Sequence, residues 1–215
     1  PGDEPGRPDI LASCMVELAL DCAANACSVA VARDGKLLAA RWRPMARGHA
    51  EVAPVMLERV MAEAGVLFAD LSRIVVTRGP GSFTGIRIAL AAARGLALVT
   101  KAELVAASTF EALRPALPPE GRLFAVLNTG RGSLYAAELS GAATPFATTM
   151  EALVAEAPFA VTGDAGKALA ASAPGAIRVL APALPDAVRL LGRHFVPGPA
   201  SPLYLSRPLT GPVGR

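Results

Sequence analysis

Short apolar runs rich in Val, Ala and Leu at Met15–Asp21, Ala26–Arg33 and Lys36–Arg43 predict three antiparallel strands. Asp34-Gly35 joins the last two as a two-residue turn of the type I′ kind, the strongest local signal in this region. Val52, Val55, Met56, Val60 and Met61 then recur at helical spacing. They predict a helix that opens at Arg47-Gly48-His49-Ala50-Glu51, carries Pro54 in its first turn, runs to about Ala64 and stops at Gly65. Ile74-Val75-Val76-Thr77 is a β-branched run of the kind buried in a sheet, and Gly85 to about Val99 is a helix apolar on nearly every face. A further strand is expected at Glu103–Ala106. From near Ala107 the plan repeats. Arg122–Asn128 pairs with Ser133–Leu139 through a turn containing Gly130 and Gly132. A helix from about Met150, a strand at Phe159–Thr162, a helix from Lys167, a strand at Ile177–Leu180 and a helix from Asp186 follow. Strands followed by alternating helix and strand, seen twice, predict an α/β fold of two like lobes, residues 15–106 and 107–215.

Composition changes this picture only at its margins. The 215 residues are 53% hydrophobic with 5% aromatics, so the core is built from Ala, Val and Leu. A net charge of +3 is compatible with visiting RNA and is far from a dedicated basic surface. Residues 1 to about 14, with Pro1-Gly2-Asp3-Glu4-Pro5-Gly6-Arg7-Pro8 at their head, read as a disordered lead-in or tag, with Met15 as the natural start. The N-terminus lacks the basic-then-apolar layout of a signal peptide, and Arg87 and Arg94 interrupt the apolar helix, so no membrane association is expected. Cys14, Cys22 and Cys27 are an odd number in a chain large enough to need no staples. Reduced thiols and a cytoplasmic location are the default.

The stretch around which the chain is organised is Arg78-Gly79-Pro80-Gly81-Ser82-Phe83-Thr84-Gly85-Ile86-Arg87, between the buried strand and the apolar helix. Ser82 or Thr84 is placed to cap the first turn. Gly79, Gly81, Ser82, Thr84 and Gly85 make a candidate phosphate-binding loop, since free N–H groups at a helix start hold a phosphate or a partner's carboxylate; an ordinary helix start is the competing reading. Asp21-Cys22-Ala23-Ala24-Asn25-Ala26-Cys27 is a second turn. Its small residues offer no strong donor to a phosphate, and Asp21 reads as an ordinary strand-end residue or as a metal or water ligand. His49 has no second His or Cys at ligand spacing, and His194, beside Phe195 on the last helix, is a core or surface residue. With two histidines in the chain, no Ser/His/Asp set or Cys/His pair can be assembled, and no Walker-type loop or paired Cys-x-x-Cys is present.

Gly79-Pro80-Gly81-Ser82-Phe83-Thr84-Gly85 closely resembles the signature loop of the TsaB (YeaZ) family, the smaller relatives of the TsaD (Kae1) proteins in the actin/Hsp70/sugar-kinase-like superfamily. The resemblance covers roughly Met15 to Pro208. It includes the Arg-x-His-x-Glu stretch at 47–51 and the Pro-x-Tyr-Leu close in Pro202-Leu203-Tyr204-Leu205-Ser206-Arg207-Pro208. It implies an actin-like fold of two ribonuclease-H-like lobes. Where catalytic TsaD relatives carry His-x-x-x-His, this chain has Thr109 and Leu113, so the metal site should be absent. Asn128-Thr129-Gly130-Arg131-Gly132-Ser133-Leu134-Tyr135 departs from the family's usual Asp-Ala-Arg opening, although Arg131 and Tyr135 still fit.

The resemblance implies a non-catalytic subunit of the machinery that makes threonylcarbamoyladenosine in tRNA, beside the anticodon. In that scheme the chain docks on a TsaD partner through its two N-lobe helices, a TsaE ATPase joins, tRNA is met through the complex, and the chain alone forms a homodimer. His49, Val52, Met56, Val60, Ile86, Ala89, Leu90, Ala92 and Ala93 are the expected interface residues. No cofactor is expected on this chain alone, with ATP or ADP at the subunit joint as the candidate. The rival readings are an ATP-dependent phosphotransferase, which needs phosphate loops at both 21–27 and 79–85, and a metallopeptidase, which conflicts with Thr109 and Leu113.

Overall fold

Two five-stranded mixed sheets carry the chain, and they share one strand order. The computed structural model describes residues 14–117, 119–129, 132–195 and 200–205. In the first sheet β1 (Val16–Ala24), β2 (Ala26–Arg33), β3 (Lys36–Pro44), β4 (Arg73–Thr77) and β5 (Glu103–Ala107) lie in the order β3-β2-β1-β4-β5. In the second, β6 (Leu123–Asn128), β7 (Leu134–Glu138), β8 (Phe146–Thr148), β9 (Phe159–Thr162) and β10 (Ile177–Val179) lie in the order β8-β7-β6-β9-β10. In each sheet the first three strands form an antiparallel meander and the last two pair in parallel beyond the first. The duplication expected from the element pattern is therefore present strand for strand. The short edge strand β8 was not anticipated; three residues with two of them exposed carry no readable periodicity.

Helices α1 (His49–Ala64) and α2 (Phe83–Thr100) cover one face of the first sheet. Leu18, Leu20, Val29 and Val31 point from that face into Met56, Val60, Ile86 and Leu90. Successive residues of β1 face opposite sides, so Ala19 joins Ala30, Val75 and Leu190 in a separate cluster on the other face. The second sheet packs Phe124, Val126 and Phe159 against Leu153 of α3 (Met150–Val154) and Leu169 of α4 (Gly166–Ser172).

The element bounds differ from expectation at instructive places. Helix α1 starts at His49, after a left-handed Gly48, so Pro54 is its sixth residue and lies in the second turn. Its missing N–H falls on the exposed side, where water can serve the carbonyl of Ala50. The helix expected from Asp186 is a short 3₁₀ turn, Ala187–Leu190, and Thr109–Leu113 is likewise 3₁₀, each opened by a side-chain cap, Asp186 and Ser108. His194 lies beyond the second of these turns and is exposed. The expected turn at 21–27 is mostly strand: β1 continues to Ala24 through a bulge, and Asn25 alone separates it from β2. The readings of residues 1–13, Gly130, Arg131 and Ser206-Arg207-Pro208 lie outside the described residues.

The chain between the second lobe and its end folds back on the first sheet. Trp42 Nε1 donates to the carbonyl of Pro185 at 3.0 Å, and the amide of Ala187 donates to Ser28 Oγ at 2.9 Å. Buried Glu17 accepts from Arg73 at 2.7 Å and from the amide of Gly192 at 2.6 Å.

Candidate partner surface and its organising loop

The loop at 78–85 is stitched to three separate parts of the protein. The amide of Arg78 donates to Ala107 O, Gly79 O accepts from the amide of Thr109, and Arg78 O accepts from Leu203, at 2.9, 2.9 and 2.7 Å. Ser82 caps α2, its Oγ accepting from the amide of Gly85 at 3.2 Å. The amide of Ser82 in turn donates to the carbonyl of Ala23, at the end of β1, at 2.6 Å.

Two glycines make this seating possible. A Cβ on Gly81 would stand 1.9 Å from Ala23 O, and one on Gly85 would stand 1.9 Å from Cys22 O. The loop's close approach is thus to this chain's own backbone. Of the five residues expected to cradle phosphate, Ser82 and Gly85 have their amides bonded internally, Gly79 and Gly85 are buried, and Gly81 and Thr84 are exposed. Carbonyl oxygens of Cys22 and Ala23 stand against the glycines, and a carbonyl dipole repels a phosphate.

Of the nine expected interface residues, the structure turns seven inward. His49, Met56, Val60, Ile86, Ala89, Leu90 and Ala93 are buried in the chain's own core, and only Val52 and Ala92 are part-exposed. The physical reason is that a helix lying on a sheet spends its main apolar stripe on that sheet. The outward side of the same helices carries other residues. Leu98 is 73% exposed, Val99 82% and Val55 47%. Helix α2 is long and apolar enough, by length and composition alone, to cross a membrane, and most of it is not buried. It is a sheet-packed helix whose outer side leaves Leu98 and Val99 open alongside exposed Arg87 and Arg94.

An aromatic and arginine cluster occupies the N-terminal end of that outer side. Phe83 stacks on Tyr204 with ring centroids 5.5 Å apart, Arg87 lies over the Phe83 ring at 3.7 Å, and Arg87 Nε donates to Tyr204 Oη at 3.1 Å. Arg94 donates to the carbonyl of Ala200, so residues 200–205 run along α2. Sequence reasoning marked Tyr204 only as part of the closing motif. The available signal was that Tyr204 is one of only two tyrosines in the chain.

Asp21 lies beneath this loop. It is fully buried, burial pushes its carboxyl up to about 6, and Thr77 Oγ1 donates to Oδ1 at 2.5 Å while Oδ2 has no partner among the described residues. Thr109 and Leu113 are also fully buried, and the Nε2 of His49 has no partner. Among the described residues, no three of His, Cys, Asp and Glu converge as a metal site would require.

Comparison with known proteins follows the same outline. A family model described as TsaD, tRNA N6-adenosine threonylcarbamoyltransferase, matches residues 43–180. The tRNA threonylcarbamoyladenosine biosynthesis protein TsaB of Escherichia coli strain K12 is 34% identical over 124 residues, 56% of this chain and 53% of that protein. A solved protein from Pseudomonas aeruginosa, described as similar to peptidase YEAZ, is 26% identical with a TM-score of 0.73, over 89% of this chain and 100% of that one. The chain belongs to this family, on its TsaB (YeaZ) branch. A second TsaB (YeaZ) branch structure, YeaZ from Pseudomonas aeruginosa, is also 26% identical, with a TM-score of 0.68 over 82% of this chain. The tRNA N6-adenosine threonylcarbamoyltransferase of Erythrobacter litoralis is 42% identical over 66 residues, 31% of this chain and 19% of that protein. The chain therefore spans about half the length of the TsaB relative and about a fifth of the transferase. The fold is the two-sheet α/β fold of these YeaZ structures.

Proposed function

We propose that the chain is a non-catalytic, cytoplasmic subunit that binds and activates a TsaD-like threonylcarbamoyltransferase, in the synthesis of threonylcarbamoyladenosine beside the tRNA anticodon. The observation that carries this reading is the outer side of α1 and α2. Leu98, at 73% exposed, and Val99, at 82%, put two large apolar side chains in water near the end of α2, beyond exposed Arg94, and exposed apolar side chains of this kind fit an interface. The names of the relatives, a TsaB biosynthesis protein and the transferases themselves, say which assembly to test. By the family resemblance of the sequence, Thr109 and Leu113 take the positions of the TsaD His-x-x-x-His pair, which supports leaving the chemistry to the partner. A TsaE-like ATPase, tRNA reached through the complex, a nucleotide at the subunit joint and a homodimer of the chain alone complete the proposal.

The test is reconstitution of threonylcarbamoyl transfer to tRNA from purified components, with and without this chain. Transfer that requires the chain, which is inert by itself, is the expected result. Transfer at equal rate without it would overturn the proposal. The phosphotransferase alternative is separated by titrating ATP against the chain alone, where saturable binding followed by phosphate transfer would favour it.

A further inference from the structure

Cys22 and Cys27 stand on adjacent antiparallel strands, on either side of the one-residue turn at Asn25. Their sulfur atoms are 3.1 Å apart. A disulfide bond is about 2.0 Å long, so the two sulfurs need to close by roughly 1 Å, within the reach of side-chain torsions. Both side chains turn into the cluster under α1 and α2, and no other cysteine is near, since Cys14 lies at the far end of β1 beside Asp34.

We propose that Cys22 and Cys27 form an oxidisable dithiol, a modification site that closes reversibly to an intramolecular disulfide with a hydroperoxide as oxidant. The Cys27 sulfur attacks the peroxide oxygen and releases water or alcohol, leaving a sulfenic acid. The Cys22 sulfur then displaces hydroxide from that sulfenic sulfur, which leaves as a second water with the two thiol protons accounted for. Two thiols are oxidised by two electrons and one peroxide is reduced. Either thiol can donate across the 3.1 Å contact; with the Cys22 S–H donating, that bond and nearby Arg43 favour a thiolate on Cys27 over the opposing effects of burial and Asp21, which makes Cys27 the attacking residue, whereas burial disfavours a thiolate on Cys22. Both sulfurs are buried, so oxidant has to enter past the hairpin tip, where Asn25 is exposed and Ala24 half-buried.

The position of the pair gives the oxidation a consequence. Cys22 O stands against Gly85, and the adjacent Ala23 O holds the amide of Ser82, so the hairpin tip that the disulfide would pin is the seat of the loop that starts α2.

The experiment uses the full chain carrying Cys14→Ser, which removes the exposed thiol. It is treated with hydrogen peroxide while folded, then digested and mapped. The expected result is a mass loss of 2 Da on the chain, a linked Cys22–Cys27 peptide, and restoration of both free thiols by dithiothreitol. Under the same treatment Cys22→Ser should give a Cys27 sulfenic acid trapped by dimedone and no mass loss of 2 Da. Two unmodified thiols in protein that circular dichroism shows to be folded, or over-oxidation of both sulfurs without a linked peptide, would overturn the proposal. Since the linkage is read on a chain with both cysteines intact, failure of the Cys22→Ser variant to fold leaves the decision unaffected.

Discussion

Thr77 Oγ1 donates a 2.5 Å hydrogen bond to Asp21 Oδ1, across the parallel pairing of β4 with β1. Among the described residues it is the one side-chain donor on a fully buried carboxyl whose second oxygen has no partner there. Asp21 lies two residues before Ala23, whose carbonyl seats Ser82, and Thr77 ends the strand that leads into that loop. Burial outweighs the Thr77 bond and leaves the carboxyl titrating at about 6.

A pH dependence follows from this. The folded protein holds the Asp21 proton more tightly than the unfolded chain, where the ordinary value is 3.8. Stability from this group is therefore fully present below about pH 4 and is lost as pH rises through about 6. At about 1.4 kcal/mol per pH unit of displacement, the loss by pH 8 is on the order of 3 kcal/mol. Urea unfolding of the wild type and of Asp21→Asn between pH 4 and pH 8 should show the variant gaining on the wild type by that order. A difference that stays flat with pH would mean the carboxylate ionises inside the fold without cost.

Gly85 and Gly95 lie in the same helix and should respond oppositely to alanine. At Gly85 the new Cβ would stand 1.9 Å from Cys22 O, while at Gly95 nothing lies within 4 Å. Gly85→Ala is expected to destabilise by about 3–5 kcal/mol, or to prevent folding, because backbone must move. Gly95→Ala should stabilise by about 0.5–1 kcal/mol, from helix propensity and a less free unfolded chain. Urea midpoints of the two variants decide the matter, and equal effects would contradict the seating of the loop on β1.

Leu98→Glu with Val99→Glu should leave the thermal midpoint within about 2 °C of wild type, because both side chains are already in water. The double variant should weaken association with a TsaD-like partner by at least about tenfold, the effect of roughly 1.4 kcal/mol or more at an interface. Ala92→Trp, on the half-buried margin of the same side, should act in the same direction. Isothermal titration calorimetry checks both, and undiminished affinity would move the partner surface elsewhere.

Tyr204→Ala removes a ring stack on Phe83 and the acceptor for Arg87 Nε. The cluster is part-exposed, so the expected cost is about 1 kcal/mol, with faster proteolytic cleavage within residues 200–205. Tyr204→Phe keeps the stack and loses only the hydrogen bond, so it should show about half that effect. If both variants cleave at the wild-type rate, the segment is held by Leu203 and Arg94 alone.

Nine of the ten strands, the Asp34-Gly35 turn, the Ser82 cap and the bounds of β9 were legible along the chain, because each is set by neighbours within a few residues. Periodicity and capping are short-range physics, and they report that a residue is apolar without saying what it faces. Helix α2 is the clearest case. With apolar residues on nearly every side, its pattern could not show that Ile86, Ala89, Leu90 and Ala93 lie on the sheet while Leu98 and Val99 stay open. That choice depends on where β1 and β4 run beneath it. The same holds at the organising loop. Its glycines predicted a close approach, but the neighbour they approach, the backbone of Cys22 and Ala23, is some sixty residues away in sequence and was brought there by strand pairing. The fold class was thus determined by local pattern, whereas the surface left for a partner, the filling of the loop and the meeting of Cys22 with Cys27 were decided by tertiary packing, which only the closed sheet can fix.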